Sequence, residues 1–365
     1  MTHPSTPTAR SAIGAAPIAI GVLAVAATLL TLIVRVAGLG AIPAFVTSAI
    51  GLAALAFLVG EGTDQLGRRL SPGATGVLQS ALGNLPELFI SIFALRAGLV
   101  VVVQAALIGS ILANSLLVLG AAFLFGGLRN GTQRFHAPTS RRIAALLLLA
   151  AAALVIPAVA TASGAPDAGH GTELSVIVAI VLLVVFIASI PASLGGPKDA
   201  AAKSGGETWP MRLVVAFLAG SATLAALMSD WFVEALRPAM GGLGISEAFV
   251  GLVVVAIAGN AVENVVGVQM AIRNRSDLAV SLILNSSLQV ALALTPVLVL
   301  LSLFIGPVPL SLVLPPLLAA ALVLTAVLGA VITADGESTW LEGLLLIGLY
   351  TVLAASVWWG PAVRT

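Results

Sequence analysis

The strongest constraint on this chain is the length of its apolar runs. Crossing a bilayer as an α-helix takes roughly 20 apolar residues at about 1.5 Å each. The sequence offers eleven such runs, near 17–37, 40–60, 74–96, 99–127, 143–162, 174–194, 211–233, 246–272, 278–304, 308–333 and 341–360. In hydrocarbon the backbone must satisfy its own polar groups, and a helix does so within one segment. Composition leaves no soluble alternative. Of 365 residues, 59% are hydrophobic and 8% charged, whereas a soluble domain is nearer a quarter charged. This excludes a water-soluble globule, a disordered chain and a basic nucleic-acid binder. The expectation is an all-α polytopic membrane protein of about eleven transmembrane helices, with the lipid bilayer as its solvent and no nucleic-acid partner.

The polar residues bound the chemistry further. The chain has no cysteine, which excludes disulfides, thiolate metal sites and cysteine nucleophiles. His3, His136 and His170 are too few and too scattered for a histidine metal centre. No catalytic dyad or triad stands in a suitable context, so neither an enzyme nor a cofactor is expected. Residues 1–16 read as a polar tail and 17–38 as an extra, uncleaved first helix. Residues 195–210, rich in Gly and Lys, read as a flexible linker near the middle of the chain. With the N-terminus cytoplasmic, the inner loops hold Arg10, Arg68, Arg69, Arg129, Arg134, Arg141, Arg142, Lys198, Lys203, Arg212, Arg273 and Arg275. The outer side holds Arg35, Arg96, Arg237 and Arg364. That asymmetry predicts a cytoplasmic N-terminus and an outer C-terminus, in a bacterial plasma (inner) membrane.

Two apolar runs are interrupted alike, by Gly83-Asn84-Leu85-Pro86-Glu87 and by Gly259-Asn260-Ala261-Val262-Glu263, 176 positions apart. The same offset pairs Ser110 with Ser286. The chain therefore reads as two diverged repeats, residues 39–194 and 211–361, each of five helices. Five is odd, so the second copy enters the membrane from the opposite side. Inverted repeats are a transporter architecture, with the site near the midplane where the copies meet.

Glu87 and Glu263 are the main candidates for chemistry. A carboxylate within a span costs several kcal/mol unless it is paired, protonated, hydrated or bound to a cation. Gly-Asn before each one weakens the helix, and Pro86 removes a further hydrogen bond. Gly83, Asn84, Gly259, Asn260 and the two glutamates thus form a candidate oxygen cage for a hard cation such as Ca²⁺. The plainer reading is a packing network of hydrogen bonds. Gln104, Ser110 and Asn114 in the fourth helix, with Asn285, Ser286 and Gln289 in the ninth, form a secondary polar shell. They either add ligands or pack helices together. Glu61 and Asp64 near the end of the second helix, and Asp230 and Glu234 near the end of the seventh, are possible entrance acids or ordinary interfacial ones.

The stretches at 83–120 and 259–296, GNLPELFISIFALRAGLVVVVQAALIGSILANSLLVLG and GNAVENVVGVQMAIRNRSDLAVSLILNSSLQVALALTP, resemble the paired signature repeats of a known family. That family is the cation/H⁺ antiporter branch of the calcium/cation exchanger superfamily. The resemblance implies Ca²⁺/H⁺ exchange, with Glu87 and Glu263 shared between Ca²⁺ and protons. It assigns supporting roles to Asn84, Asn260, Gln104, Ser110, Ser286 and Gln289. Asn264 departs from the pattern, standing where Ca²⁺/H⁺ members usually carry histidine. The competing readings are a Na⁺ (or K⁺)/H⁺ exchanger of the same fold and, from another class, a cation channel.

Overall fold

The computed structural model describes residues 15–69, 78, 81–164, 168–194 and 209–359. The N-terminal tail and nearly all of the linker lie outside these residues. Among the described residues the chain is helical apart from short loops and one two-stranded ribbon. The helices are α1 (Ala15–Val36), α2 (Ala41–Gly67), α3 (Leu85–Arg96), α4 (Val100–Asn130), α5 (Ala137–Ser163) and α6 (Gly171–Leu194). After the linker follow α7 (Met211–Leu243), α8 (Glu247–Gly259), α9 (Ala261–Ile272), α10 (Ser276–Ser302), α11 (Pro316–Ile332) and α12 (Trp340–Ser356). Among the described residues seven of them are long and apolar enough to cross a membrane, and α8 with α9, bent by 64° at their break, make an eighth if counted as one span.

The repeat is visible in the element boundaries. Helices α3 and α9 have 12 residues each and start 176 positions apart, as do α4 and α10. Both α4 and α10 loosen into a π-helical stretch, at Ala113–Val118 and Val290–Leu294. These two helices form the centre. In the apolar window of α4, 83% of the residues are buried, against 17% in α6, so α4 is wrapped in protein and α6 faces lipid.

The connections fall into two sets, each making contacts within itself, as alternate crossing requires. On one face β1 (Gln133–Arg134), between α4 and α5, pairs antiparallel with β2 (Glu337–Ser338), between α11 and α12. There the Ser276 hydroxyl donates to the Gln133 carbonyl oxygen at 2.8 Å, and Asn130 donates to the Ala271 carbonyl at 3.1 Å. On the opposite face Arg35, in the last turn of α1, pairs with Glu234 at 2.7 Å. On that face too, Ser246 before α8 donates to the Val357 carbonyl at the end of α12, at 2.5 Å.

Several boundaries differ from expectation for physical reasons. The span expected at 308–333 begins only at Pro316. Pro307, Pro309, Pro315 and Pro316 withhold amide donors, and each pushes the residue before it towards extended backbone. Residues 308–315 instead form an irregular, non-helical segment, turned at Leu312–Leu314, with Leu310, Leu312 and Leu314 buried at alternate positions. Side chains replace the missing helical hydrogen bonds. Ser302 accepts from the Leu310 amide at 2.8 Å, and Ser175 from the Leu312 amide at 2.7 Å. Helix α7 runs past 233 to Leu243, through Pro238. Glu234, expected to end it, lies inside it with its charge matched by Arg35. Helix α2 likewise continues past 60 to Gly67, and α5 starts at Ala137 rather than near 143.

Candidate functional site

The two Gly-Asn elements are where the spans break. Asn84 (φ −90°, ψ 12°) and Asn260 (φ −98°, ψ 28°) leave helical geometry, and a new helix starts after each. Their side chains suit this, because Asn offers local hydrogen bonds that compete with the helix ladder. Asn260 donates from Nδ2 to the Ala256 carbonyl at 2.8 Å, occupying an acceptor at the break. Asn264 does the same from the other side, donating to the Ile257 carbonyl at 3.2 Å. The residue that departs from the family pattern thus caps the broken helix.

Glu87 sits in the first turn of α3 and is buried. Its Oε1 accepts from the Ser110 hydroxyl of α4 at 2.5 Å and from Asn260 Nδ2 of the other repeat at 2.5 Å. Among the described residues its Oε2 has no partner. Asn260 Nδ2 also lies 3.1 Å from Ser110 Oγ. From Asn260 the network passes to Asn114, which donates to Asn260 Oδ1 at 3.3 Å and to the Ser286 hydroxyl at 3.0 Å. Ser115 and Ser287 meet at 3.0 Å across the same seam. A second polar atom in this seam, Asn114 Oδ1, is also unpartnered. The approach of the repeats depends on Gly259, where an added Cβ would lie 2.3 Å from Glu87 Cγ.

Glu263, in the first turn of α9, is partly buried. It interacts electrostatically with Glu87 across the break. Ser286, the counterpart of Ser110, is engaged by Asn114. The two halves are therefore unequal in this conformation, with one carboxylate held on one oxygen and the other clear of the serine network.

The other predicted residues scatter more widely. Asn84 is buried at the break before α3, and its carbonyl accepts from the Leu88 amide at 2.9 Å. Gly83 forms the turn beside it. Gln104 lies in α4 but turns away from the glutamates, donating to the carbonyls of Ser311 at 2.7 Å and Val313 at 3.3 Å. Asn285 donates to Ser281 of its own helix at 2.8 Å, and Gln289 is partly buried in α10. Glu61 accepts from Gln65 at 3.3 Å, Asp64 pairs with Arg68 at 2.9 Å, Glu234 pairs with Arg35, and Asp230 is exposed. Ser115 and Ser287 lie in the same two polar clusters as Asn114 and Ser286, and both cross-repeat contacts join residues 172 positions apart. Chemically, the seam offers two carboxylates, amide and hydroxyl oxygens, and an unmatched carboxylate oxygen. Such a set takes a proton or a hard cation.

The model of the sodium/calcium exchanger protein family matches residues 40–194 and 213–359. The Ca²⁺/H⁺ antiporter ChaA of Bacillus subtilis (strain 168) is 34% identical over 320 residues, 85% of this chain and 90% of that one. The Ca²⁺/H⁺ antiporter of Aphanothece halophytica is 32% identical over 342 residues, covering 87% and 91%. The solved structure of native YfkE superposes with a TM-score of 0.81 at 32% identity, covering 93% of this chain and 99% of that one.

Proposed function

This chain belongs to the sodium/calcium exchanger protein family, and on that premise we propose that it exchanges Ca²⁺ for H⁺ by alternating access. Glu87 and Glu263 bind either the cation or the protons. The observation that carries this reading is the buried Glu87 carboxylate. Ser110 and Asn260 fix one oxygen, and among the described residues the other is left without a partner at the junction of the repeats. A buried carboxylate oxygen with no donor needs a proton or a cation to offset its lost hydration. Asn260, Asn114 and the carbonyls at the two breaks supply further oxygens for Ca²⁺, which takes about six to eight.

Orientation follows from charge. The face carrying Arg68, Arg69, Arg134, Arg141 and Arg212 is the cytoplasmic one, so the N-terminus and the linker lie inside and the C-terminus outside. Residues 39–194 and 211–361 are the two inverted units that rock about the seam. Named relatives are bacterial Ca²⁺/H⁺ antiporters, which supports placement in a bacterial plasma membrane.

The test is ion-by-ion flux in everted vesicles with an imposed ΔpH. Glu87→Gln and Glu263→Gln keep the shape and remove the charge. Each is expected to abolish Ca²⁺ uptake while expression stays near wild type, because each mimics a protonated state of the cycle. Near-normal uptake by either variant removes that residue from the shared site. Saturable Na⁺ or K⁺ flux without Ca²⁺ flux assigns a monovalent substrate instead. Flux that neither saturates nor needs a counter-ion gradient identifies a channel.

A further inference from the structure

Helices α1, α2 and α7 enclose an apolar cleft of about 650 Å³, within the roughly 300–1,000 Å³ range of small-ligand sites. One wall is the Ile18–Leu29 side of α1, the floor is Leu55 and Leu58 of α2, and the other wall is Ala216, Gly220 and Leu224 of α7. The cleft is empty of side chains because a glycine stands on each wall. A Cβ added at Gly21 or at Gly220 would meet nothing within 4 Å. It opens to the side, since Val22 and Leu29 are exposed. In a spanning protein this surface faces acyl chains, not water.

One end of the cleft is marked by charge. Ala216, Gly220 and Leu224 stand four residues apart and form a single row on α7. Arg212 continues that row one turn further. Helical side chains lean towards the N-terminus, so Arg212 extends beyond the cleft to the interface. Arg212 is exposed and belongs to no ion pair among the described residues. Its neighbours at this end are committed elsewhere, Arg68 to Asp64 and Arg69 to the Trp209 carbonyl. An apolar trough about 12 Å long, capped by the exposed Arg212 guanidinium, matches an acyl chain with an anionic headgroup.

We propose that this cleft is a binding site for one anionic phospholipid, its acyl chain between α1 and α7 and its phosphate on Arg212. Native mass spectrometry of the full-length chain, titrated with dioleoylphosphatidylglycerol or dioleoylphosphatidylcholine, tests this. One phosphatidylglycerol per chain is expected to persist where phosphatidylcholine is lost. Gly220→Leu and Gly21→Leu fill the cleft from opposite walls, and each is expected to weaken retention at least tenfold. Arg212→Gln is expected to weaken it about fivefold and to erase the preference for the anionic lipid. On the unaltered chain, a phosphatidylglycerol with a photoreactive acyl chain should label α1 and α7. Equal retention of the two lipids, unchanged retention in both filled variants, or label spread evenly over α6 and α12 would each overturn the proposal. So would a lipid-free dimer that Gly220→Leu dissociates, because the occupant would then be a second copy.

Discussion

At the residue scale, the question at Glu87 is what meets the oxygen that Ser110 and Asn260 leave free. Coordination to Ca²⁺ holds oxygen at about 2.3–2.6 Å, so the length of the side chain matters as much as its charge. Glu87→Asp keeps the charge and withdraws the oxygen by one methylene. We expect it to cut apparent Ca²⁺ affinity at least tenfold in vesicle uptake, with expression unchanged. Equally mild effects of Asp and Gln would argue for packing instead. Gly259 tests the same geometry from the other repeat. Gly259→Ala puts a Cβ 2.3 Å from Glu87 Cγ, and overpacking of this kind costs about 1–3 kcal/mol. The expected result is a lower Tm together with loss of transport. Gly329→Ala, with nothing near its Cβ, is the control that should change neither. The two glutamates stand out in the sequence as candidates because a carboxylate inside an apolar run is costly wherever it points. Their inequality does not, because the two Gly-Asn-x-x-Glu contexts are alike and only the assembled seam gives Ser110 to Glu87 while Ser286 goes to Asn114.

At the element scale, hydropathy located the spans but misread residues 308–315. Val308, Leu310, Leu312, Val313 and Leu314 look like helix to a hydropathy window, while the prolines around them forbid it. What rescues a non-helical segment in this position is a set of polar side chains from three other helices. Ser302, Ser175 and Gln104 serve its amides and carbonyls. Gln104 was expected near the glutamates because it shares α4 with Ser110. It is six residues away, more than a turn and a half along the helix, and so serves a different layer. The prediction is specific. Gln104→Leu removes the donor from two carbonyls, each worth about 1–3 kcal/mol when left bare. It should lower the Tm of the purified protein while leaving Ca²⁺ affinity within about twofold. A large loss of affinity at unchanged Tm would return Gln104 to the ligand shell.

At the scale of the whole molecule, the proposed reading makes the two halves inverted copies and gives each half one intramembrane glutamate. The apolar runs suggest eleven spans, whereas among the described residues seven helices are long and apolar enough to cross, or eight if the bent pair α8 and α9 counts as one; the pairing of the Gly-Asn-x-x-Glu elements rests on their shared offset of 176. The inequality of the halves was not legible in the sequence, since it belongs to a conformation and not to a pattern. On the proposed reading, two carboxylates fix the charge that can cross. Glu87 and Glu263 would hold one Ca²⁺ against two negative charges, or two protons that cancel the same two charges. If nothing else titrates, both loaded forms carry equal charge and exchange is one Ca²⁺ for two H⁺. The membrane potential, about 2.3 kcal/mol per charge per 100 mV, then drops out of the driving force. The pH gradient alone supplies the energy, at about 1.4 kcal/mol per proton per pH unit, and two protons double it. Among the four predicted entrance acids, Asp64 and Glu234 are paired with arginines and Glu61 accepts from Gln65, while Asp230 stands exposed. None joins the seam, so the count of two is the expectation. Ca²⁺ uptake into proteoliposomes at fixed ΔpH, with a valinomycin-set K⁺ potential varied, measures it. Rate and endpoint should both ignore the voltage. A steady-state Ca²⁺ ratio that moves with the potential would require a third titrating group or a monovalent substrate. Repeating the measurement with Asp230→Asn separates those two, because only a third proton on Asp230 would let that substitution restore electroneutral exchange.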